Sequence, residues 1–254
     1  MTYQPTTPLP RLALLACSVF EHEIARYARD AQHIVETRFF EMGLHDRPAR
    51  LRAMLQSNLE VLAARPDLDA VVLAYGLCGR GTAGLRPVRH PLVIPRAHDC
   101  ITVFMGSAEK YTQHQRHCPG CYYYTPGWNQ NRRVPGPDQL AALRTELAVK
   151  FEPDDVEFLL NATREQWGQH NTATFLDLGT ENAPAEAVYA RKCADWLGWK
   201  FEHLPGDPAL LRDLLWGRWD DERFQIVKPG SQLGHAADET ILRAEPAPAG
   251  PPGV

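Results

Sequence analysis

The 254-residue sequence has no long apolar run, no excess of basic charge and no secretory leader pattern. Its uninterrupted apolar segments are short, of the kind seen at Leu12-Ala-Leu-Leu-Ala-Cys17, far below the roughly 20 residues that cross a bilayer. No membrane partner is therefore expected. The N-terminus Met1-Thr-Tyr-Gln-Pro5 lacks a basic flank before an apolar core, so a cytoplasmic location is expected. Lys and Arg together number 27 against 31 Asp and Glu, a net charge of -4, which argues against a general nucleic-acid or anionic-membrane binder. Six cysteines in a chain of this size and expected location point to reduced, buried, metal-bound or catalytic thiols rather than a disulfide framework. What is present is a 44% hydrophobic fraction, enough to bury one large core or two small ones.

Short apolar runs at Leu12–Cys17, Ala70–Ala74 and Pro91–Pro95 are bounded by polar or turn residues and read as buried parallel strands. Between the first two lie a helix-forming stretch at Glu21–Ala31, a strand candidate at His33–Phe40 and a helix at Pro48–Ala64, where Leu51, Met54, Leu55, Leu59 and Leu62 repeat at helical spacing. Further strands are expected at Thr172–Leu178, Lys200–Leu204 and Phe224–Val227, and helices at Pro137–Lys150, Asp154–Gln169, Ala185–Leu197 and Asp207–Trp216. This alternation predicts an α/β protein with a mostly parallel, Rossmann-like doubly wound sheet, as one continuous sheet or as two α/β halves. The expected organisation is a flexible start over 1–10, a first half over 11–110, a connection over 111–136, a second half over 137–235 and a flexible proline-rich tail over 236–254.

Cys17, Cys78 and Cys100 each fall at or just beyond the C-terminal end of an expected strand, where open α/β sheets place ligands and catalytic groups. Three thiolates from separate loops suit an iron–sulfur cluster with one open iron, the first choice, or a zinc ion with an open fourth position. The alternative is plain packing, since free cysteine is often buried. Around Cys78 the loop Tyr75-Gly-Leu-Cys-Gly-Arg-Gly-Thr-Ala-Gly84 is glycine-rich, so Tyr75, Gly79 and Arg80 are candidate substrate contacts. Gly79, Gly81 and Gly84 spell G-x-G-x-x-G, but two prolines follow where a dinucleotide fingerprint opens a helix. In Pro91-Leu-Val-Ile-Pro-Arg-Ala-His-Asp-Cys100, His98 and Asp99 are the candidate acid/base pair and Arg96 a candidate anion clamp, against a reading in which Asp99 caps a helix and Arg96 makes a surface pair. Tyr124 and Trp128 in Tyr122-Tyr-Tyr-Thr-Pro-Gly-Trp128 are candidate ligand-wall residues, with ordinary packing as the alternative. Cys118-Pro-Gly-Cys121 reads as a redox pair or half a zinc site, and Cys193 as a core residue.

The blocks Leu14–Cys17, Tyr75–Gly79, Pro91–Cys100 and Tyr124–Trp128 resemble the signature blocks of DUF1638, a bacterial and archaeal family without an assigned activity. Cys17, Cys78, Cys100, His98 and Asp99 match those blocks, whereas Cys118 and Cys121 depart from them. The resemblance implies a link to corrinoid-dependent methyltransferase components as partners. The expectation is a metalloenzyme, a lyase or reductase with iron–sulfur or a methyltransferase with zinc, acting on a small polar molecule. The alternative is a non-catalytic metal- or anion-binding accessory protein.

Overall fold

The computed structural model describes residues 9–130 and 132–247, so the outermost parts of the expected flexible ends, 1–8 and 248–254, lie outside the described residues. In chain order the elements are β1 (Leu12–Cys17), α1 (Glu21–Tyr27), β2 (Ile34–Phe40), α2 (Pro48–Leu62), β3 (Ala70–Ala74), β4 (Leu92–Pro95), α3 (Cys100–Met105), α4 (Ala108–His117), β5 (Cys121–Tyr124) and α5 (Pro126–Asn129). They continue with α6 (Pro137–Ala148), α7 (Pro153–Trp167), β6 (Thr172–Asp177), α8 (Ala183–Leu197), β7 (Lys200–Pro205), α9 (Ala209–Leu215), β8 (Phe224–Val227), β9 (Ser231–His235) and β10 (Leu242–Pro246). The fold is α/β with mostly parallel sheets. Two units are formed, one from Met1–Lys110 with Asp207–Val254 and one from Tyr111–Gly206.

In the first unit the sheet order is β2-β1-β3-β4-β8, with the first four strands parallel and β8 antiparallel to β4. Every residue of β1, β3 and β4 is buried, which is why these strands read as continuous apolar runs rather than alternating ones. α2 starts on Pro48, whose fixed φ suits the first helical turn, and buries Leu51, Leu55, Leu59 and Leu62. Each such leucine contributes about 1.5–3 kcal/mol by leaving water. Phe20 and Phe104 stack in the same core with ring centroids 4.9 Å apart.

The segment Phe224–Val227 forms the expected strand, yet it belongs to this first sheet, because β4 and β8 pair from Leu92–Val227 to Pro95–Phe224. Arg96 secures that return. Its guanidinium donates to the carbonyls of Asp221 (2.9 Å), Thr240 (2.9 Å) and Leu242 and to the Gln225 side chain (3.0 Å). The region read as a flexible tail contains β10, which pairs antiparallel with β9.

The second unit is built on the parallel sheet β5-β6-β7. Tyr124, Phe175, Ala190, Cys193 and Ala194 form its core, which confirms Cys193 as a packing residue. Part of the segment read as a connection is structured here: β5 lies within it, preceded by the end of α4. Helix α4 buries none of its residues and therefore shows no apolar stripe to read.

Arg96 therefore works as a fork across three backbone carbonyls. Arg96→Ala is expected to lower the unfolding free energy by about 1–3 kcal/mol by leaving acceptors unpaired. Arg96→Lys should recover little of it, since a single ammonium cannot span the same set. Urea titration of the three proteins checks this, and unchanged midpoints would refute the structural role.

Candidate functional site

β1, β3 and β4 are parallel neighbours, so their C-terminal ends open on one edge of the sheet. The order β2-β1-β3-β4 changes its winding direction between β1 and β3, the place where sheets of this kind leave a crevice. Cys17 is the last residue of β1, Cys78 lies in the loop after β3, and Cys100 opens α3 beyond β4. All three are buried and unbridged.

The loops bring them together. Leu77 and Cys78 donate their backbone N–H groups to the carbonyls of Ala97 (2.8 Å) and His98 (2.9 Å), laying one loop directly on the other. This contact requires glycine at 76: a Cβ there would stand 2.7 Å from the Asp99 nitrogen and 2.9 Å from the Ala97 oxygen, both backbone atoms that cannot move aside cheaply. Buried Thr82 ties the loop from the other side by donating to the Gly76 carbonyl (3.1 Å). Cys78, Gly79 and Arg80 all adopt left-handed backbone, with φ of 46°, 62° and 66°. For the two non-glycine residues this conformation costs about 1–2 kcal/mol each and persists only because the surroundings hold it. No helix opens after Gly84, in agreement with the rejection of a dinucleotide fingerprint.

As a result the Cys78 and Cys100 sulfurs are 3.9 Å apart, and Cys17 lies near enough to Cys100 to influence its ionisation. The Cys17 thiol is held below its ordinary pKa, first by the hydrogen bond from Cys100 and then by the Val19 backbone and the Tyr75 hydroxyl, against opposition from burial and from the charge of Glu21. Cys100 is pushed well above its ordinary value, because its proton is held by Cys17 and Cys78 and because it is buried. Tyr75 is buried beside all three sulfurs, and burial followed by their charge raises its pKa. Its hydroxyl finds no hydrogen-bond partner of ordinary geometry, so its tie to Cys17 is a loose one.

Of the other residues singled out in the sequence, few join this cluster. His98 is exposed on the loop that ends in Cys100. Asp99 does not orient it: its carboxylate accepts from the Thr102 backbone (3.0 Å) and hydroxyl (3.2 Å) as the cap of α3. Arg96 is engaged in closing the first unit, and Arg80 is exposed, its carbonyl accepting from Arg52 (2.9 Å). Gly79 is exposed in the same turn. Tyr124 lies in the core of the second unit and donates to the Pro135 carbonyl (2.7 Å), and Trp128 packs against that core. Glu21 bears on the site through its charge, which opposes ionisation of Cys17. The requirement for glycine at 76 was invisible there, since nothing in a glycine-rich loop says which glycine faces another backbone.

Cys17 is expected to ionise before Cys100 in metal-free protein, and Cys100→Ala, which removes the interaction that does most to lower its pKa, to move that ionisation to higher pH. Iodoacetamide rates mapped to Cys17 across pH check this, and an unmoved profile would count against the hydrogen-bonded trio.

The family model described as "Protein of unknown function (DUF1638)" matches residues 39–215, over two thirds of the chain. That span includes Cys78 and Cys100 and begins after Cys17. No curated protein and no solved structure matches the chain. On the strength of that match, the chain belongs to the DUF1638 family.

Proposed function

We propose that Cys17, Cys78 and Cys100 hold a single thiophilic metal ion, zinc by preference, and that the protein is a metalloenzyme acting on a small polar substrate, a thiol that accepts a methyl group being the favoured class. The observation that carries this reading is the meeting of three buried thiols from three strand ends beside a buried hydroxyl with no well-formed partner. Among the described residues, no group of three or more His, Cys, Asp or Glu side chains is already set out as a metal site. The thiols are instead joined through the Cys100 proton, and metal binding to cysteine displaces such protons.

The donor set fits a soft cation. Sulfurs around one tetrahedral zinc, at bonds of about 2.3 Å, stand about 3.8 Å apart, close to the 3.9 Å between Cys78 and Cys100. A multi-iron cluster places its irons between the cysteines and needs them further apart, so the spacing favours the single ion over the iron–sulfur reading. A zinc ion held there supplies Lewis acidity and makes a fourth ligand, water or a substrate thiol, more acidic. The chain's own contributions are distinct. Tyr75 offers a buried hydroxyl to a polar atom of the substrate. Burial of the three sulfurs limits the water around them. Methyl transfer is favoured because the family resemblance points toward corrinoid-dependent methyltransferase components as partners.

The test is metal and acid-labile sulfide analysis of protein purified without oxygen, then reloaded with zinc. One zinc per chain without sulfide is expected, lost in Cys17→Ser, Cys78→Ser and Cys100→Ser but kept in Cys118→Ser. Full metal content in all three variants, or failure of the unaltered protein to take up zinc, would overturn the reading. Iron with stoichiometric sulfide would replace the single ion by a cluster.

A further inference from the structure

A second thiol site lies wholly within Tyr111–Gly206. Helix α4 ends at His117, and Cys118-Pro-Gly-Cys121 turns the chain into β5, with the Cys121 N–H donating to the Cys118 carbonyl (3.2 Å). A four-residue turn of this kind brings its end Cα atoms within about 7 Å, and a disulfide spans about 4.4–6.8 Å. Gly120 leaves room at the turn for the Asn171 amide, which would stand 2.8 Å from a Cβ there. The two thiols differ in access. Cys118 is half-buried and lines an open pocket of about 460 Å³ together with His117, Gly120, Asn171, Lys200 and Glu202, whereas Cys121 is buried at the start of its strand.

Behind Cys121 stands a histidine with a carboxylate at its back. His114 Nδ1 is 3.9 Å from the Cys121 sulfur and 2.8 Å from the Tyr123 hydroxyl, and its Nε2 is 2.9 Å from Glu202 Oε2. Glu202 Oε2 also accepts from the Thr174 hydroxyl (2.9 Å). In the tautomer with Nε2–H on the carboxylate, the Nδ1 lone pair accepts from the Tyr123 hydroxyl and has the Cys121 sulfur as its next neighbour. The Gln115 amide points at the same sulfur from 3.7 Å.

We propose that Cys118 and Cys121 form a thiol–disulfide exchange site for a small anionic disulfide, with Cys118 the attacking sulfur, Cys121 the resolving one and His114 its base. The Cys118 thiolate attacks one sulfur of the substrate disulfide, forming a mixed disulfide and releasing the first thiol. The Cys121 proton passes to His114 Nδ1, the Cys121 thiolate attacks the Cys118 sulfur, and the second thiol leaves. Two electrons move from the protein dithiol to the substrate, which becomes two thiols while a Cys118–Cys121 disulfide forms. Burial pushes Cys121 up to about 11, which keeps it protonated until the base acts and suits it to the resolving step. Lys200 on the pocket wall supplies a positive group for an anionic substrate, and the Glu202 carboxylate on the same wall is engaged by His114 and Thr174.

Glutathione disulfide is the probe. The full chain is equilibrated without oxygen across glutathione ratios, quenched in acid, alkylated and mapped by mass spectrometry. A Cys118–Cys121 disulfide is expected to appear in one two-electron transition, and Cys121→Ser to stop at a glutathione adduct on Cys118. If that variant does not fold, the unaltered protein should show the Cys118 adduct transiently before the disulfide. His114→Gln is expected to slow resolution at least tenfold, the low end of or below general-base effects of about 10²–10⁴, without moving the equilibrium midpoint. A structural histidine would leave the rate unchanged. Thiols that stay reduced at every ratio, adducts trapped on Cys121 in place of Cys118, or oxidation confined to Cys17, Cys78 and Cys100 would each overturn the proposal.

Discussion

The contact on which the cysteine site depends is the backbone apposition of the loop after β3 against the loop after β4. Two hydrogen bonds, from Leu77 and Cys78 to Ala97 and His98, press the strands of that contact together, and the missing side chain at Gly76 lets them approach. Cys78 then has little choice of position. Its left-handed backbone is held by this contact and by the following turn, in which Gly81 donates to the Cys78 carbonyl at 3.0 Å. Because β1, β3 and β4 end on the same edge, fixing Cys78 against the loop that leads into Cys100 leaves Cys17 as the third neighbour.

Three thiols in a buried place present an electrostatic problem that the structure solves unequally. A buried thiolate is costly unless hydrogen bonds compensate it, and Cys17 receives most of that compensation. Cys100 keeps its proton and shares it with both neighbours, and Tyr75 is driven further toward its neutral form by the same sulfurs. The second unit treats its cysteine pair differently: one thiol opens to a pocket, the other lies beside an imidazole fixed by a carboxylate.

Much of the frame was legible because it rests on local patterns. Continuous apolar runs identified β1, β3 and β4, and the leucine spacing identified α2. Other elements left no such mark. Helix α4 has no buried face, β5 is four residues long within a tyrosine run, and β9 with β10 is a short hairpin beside a proline-rich end. The strand-end rule pointed to Cys17, Cys78 and Cys100, yet adjacency in sequence misled for His98 and Asp99. A carboxylate next to a histidine in the chain lies one backbone step away, and at a helix start the free N–H of Thr102 is the better-placed donor. Arg96 shows the same effect, since its partners lie more than a hundred residues away.

By itself the sequence determined the α/β class, the parallel character of the central strands and the placing of three cysteines after three of them, since all follow from periodicity and from where strands end. Tertiary structure decided which residues those cysteines meet, that Arg96 is a clasp and Asp99 a cap, that Phe224–Val227 joins the first sheet, and that His114 and Glu202 stand behind Cys121. The physical reason is range. Helix and strand propensities act over a few residues, whereas a hydrogen bond between distant loops, or a proton shared among three sulfurs, exists only after the chain has closed on itself.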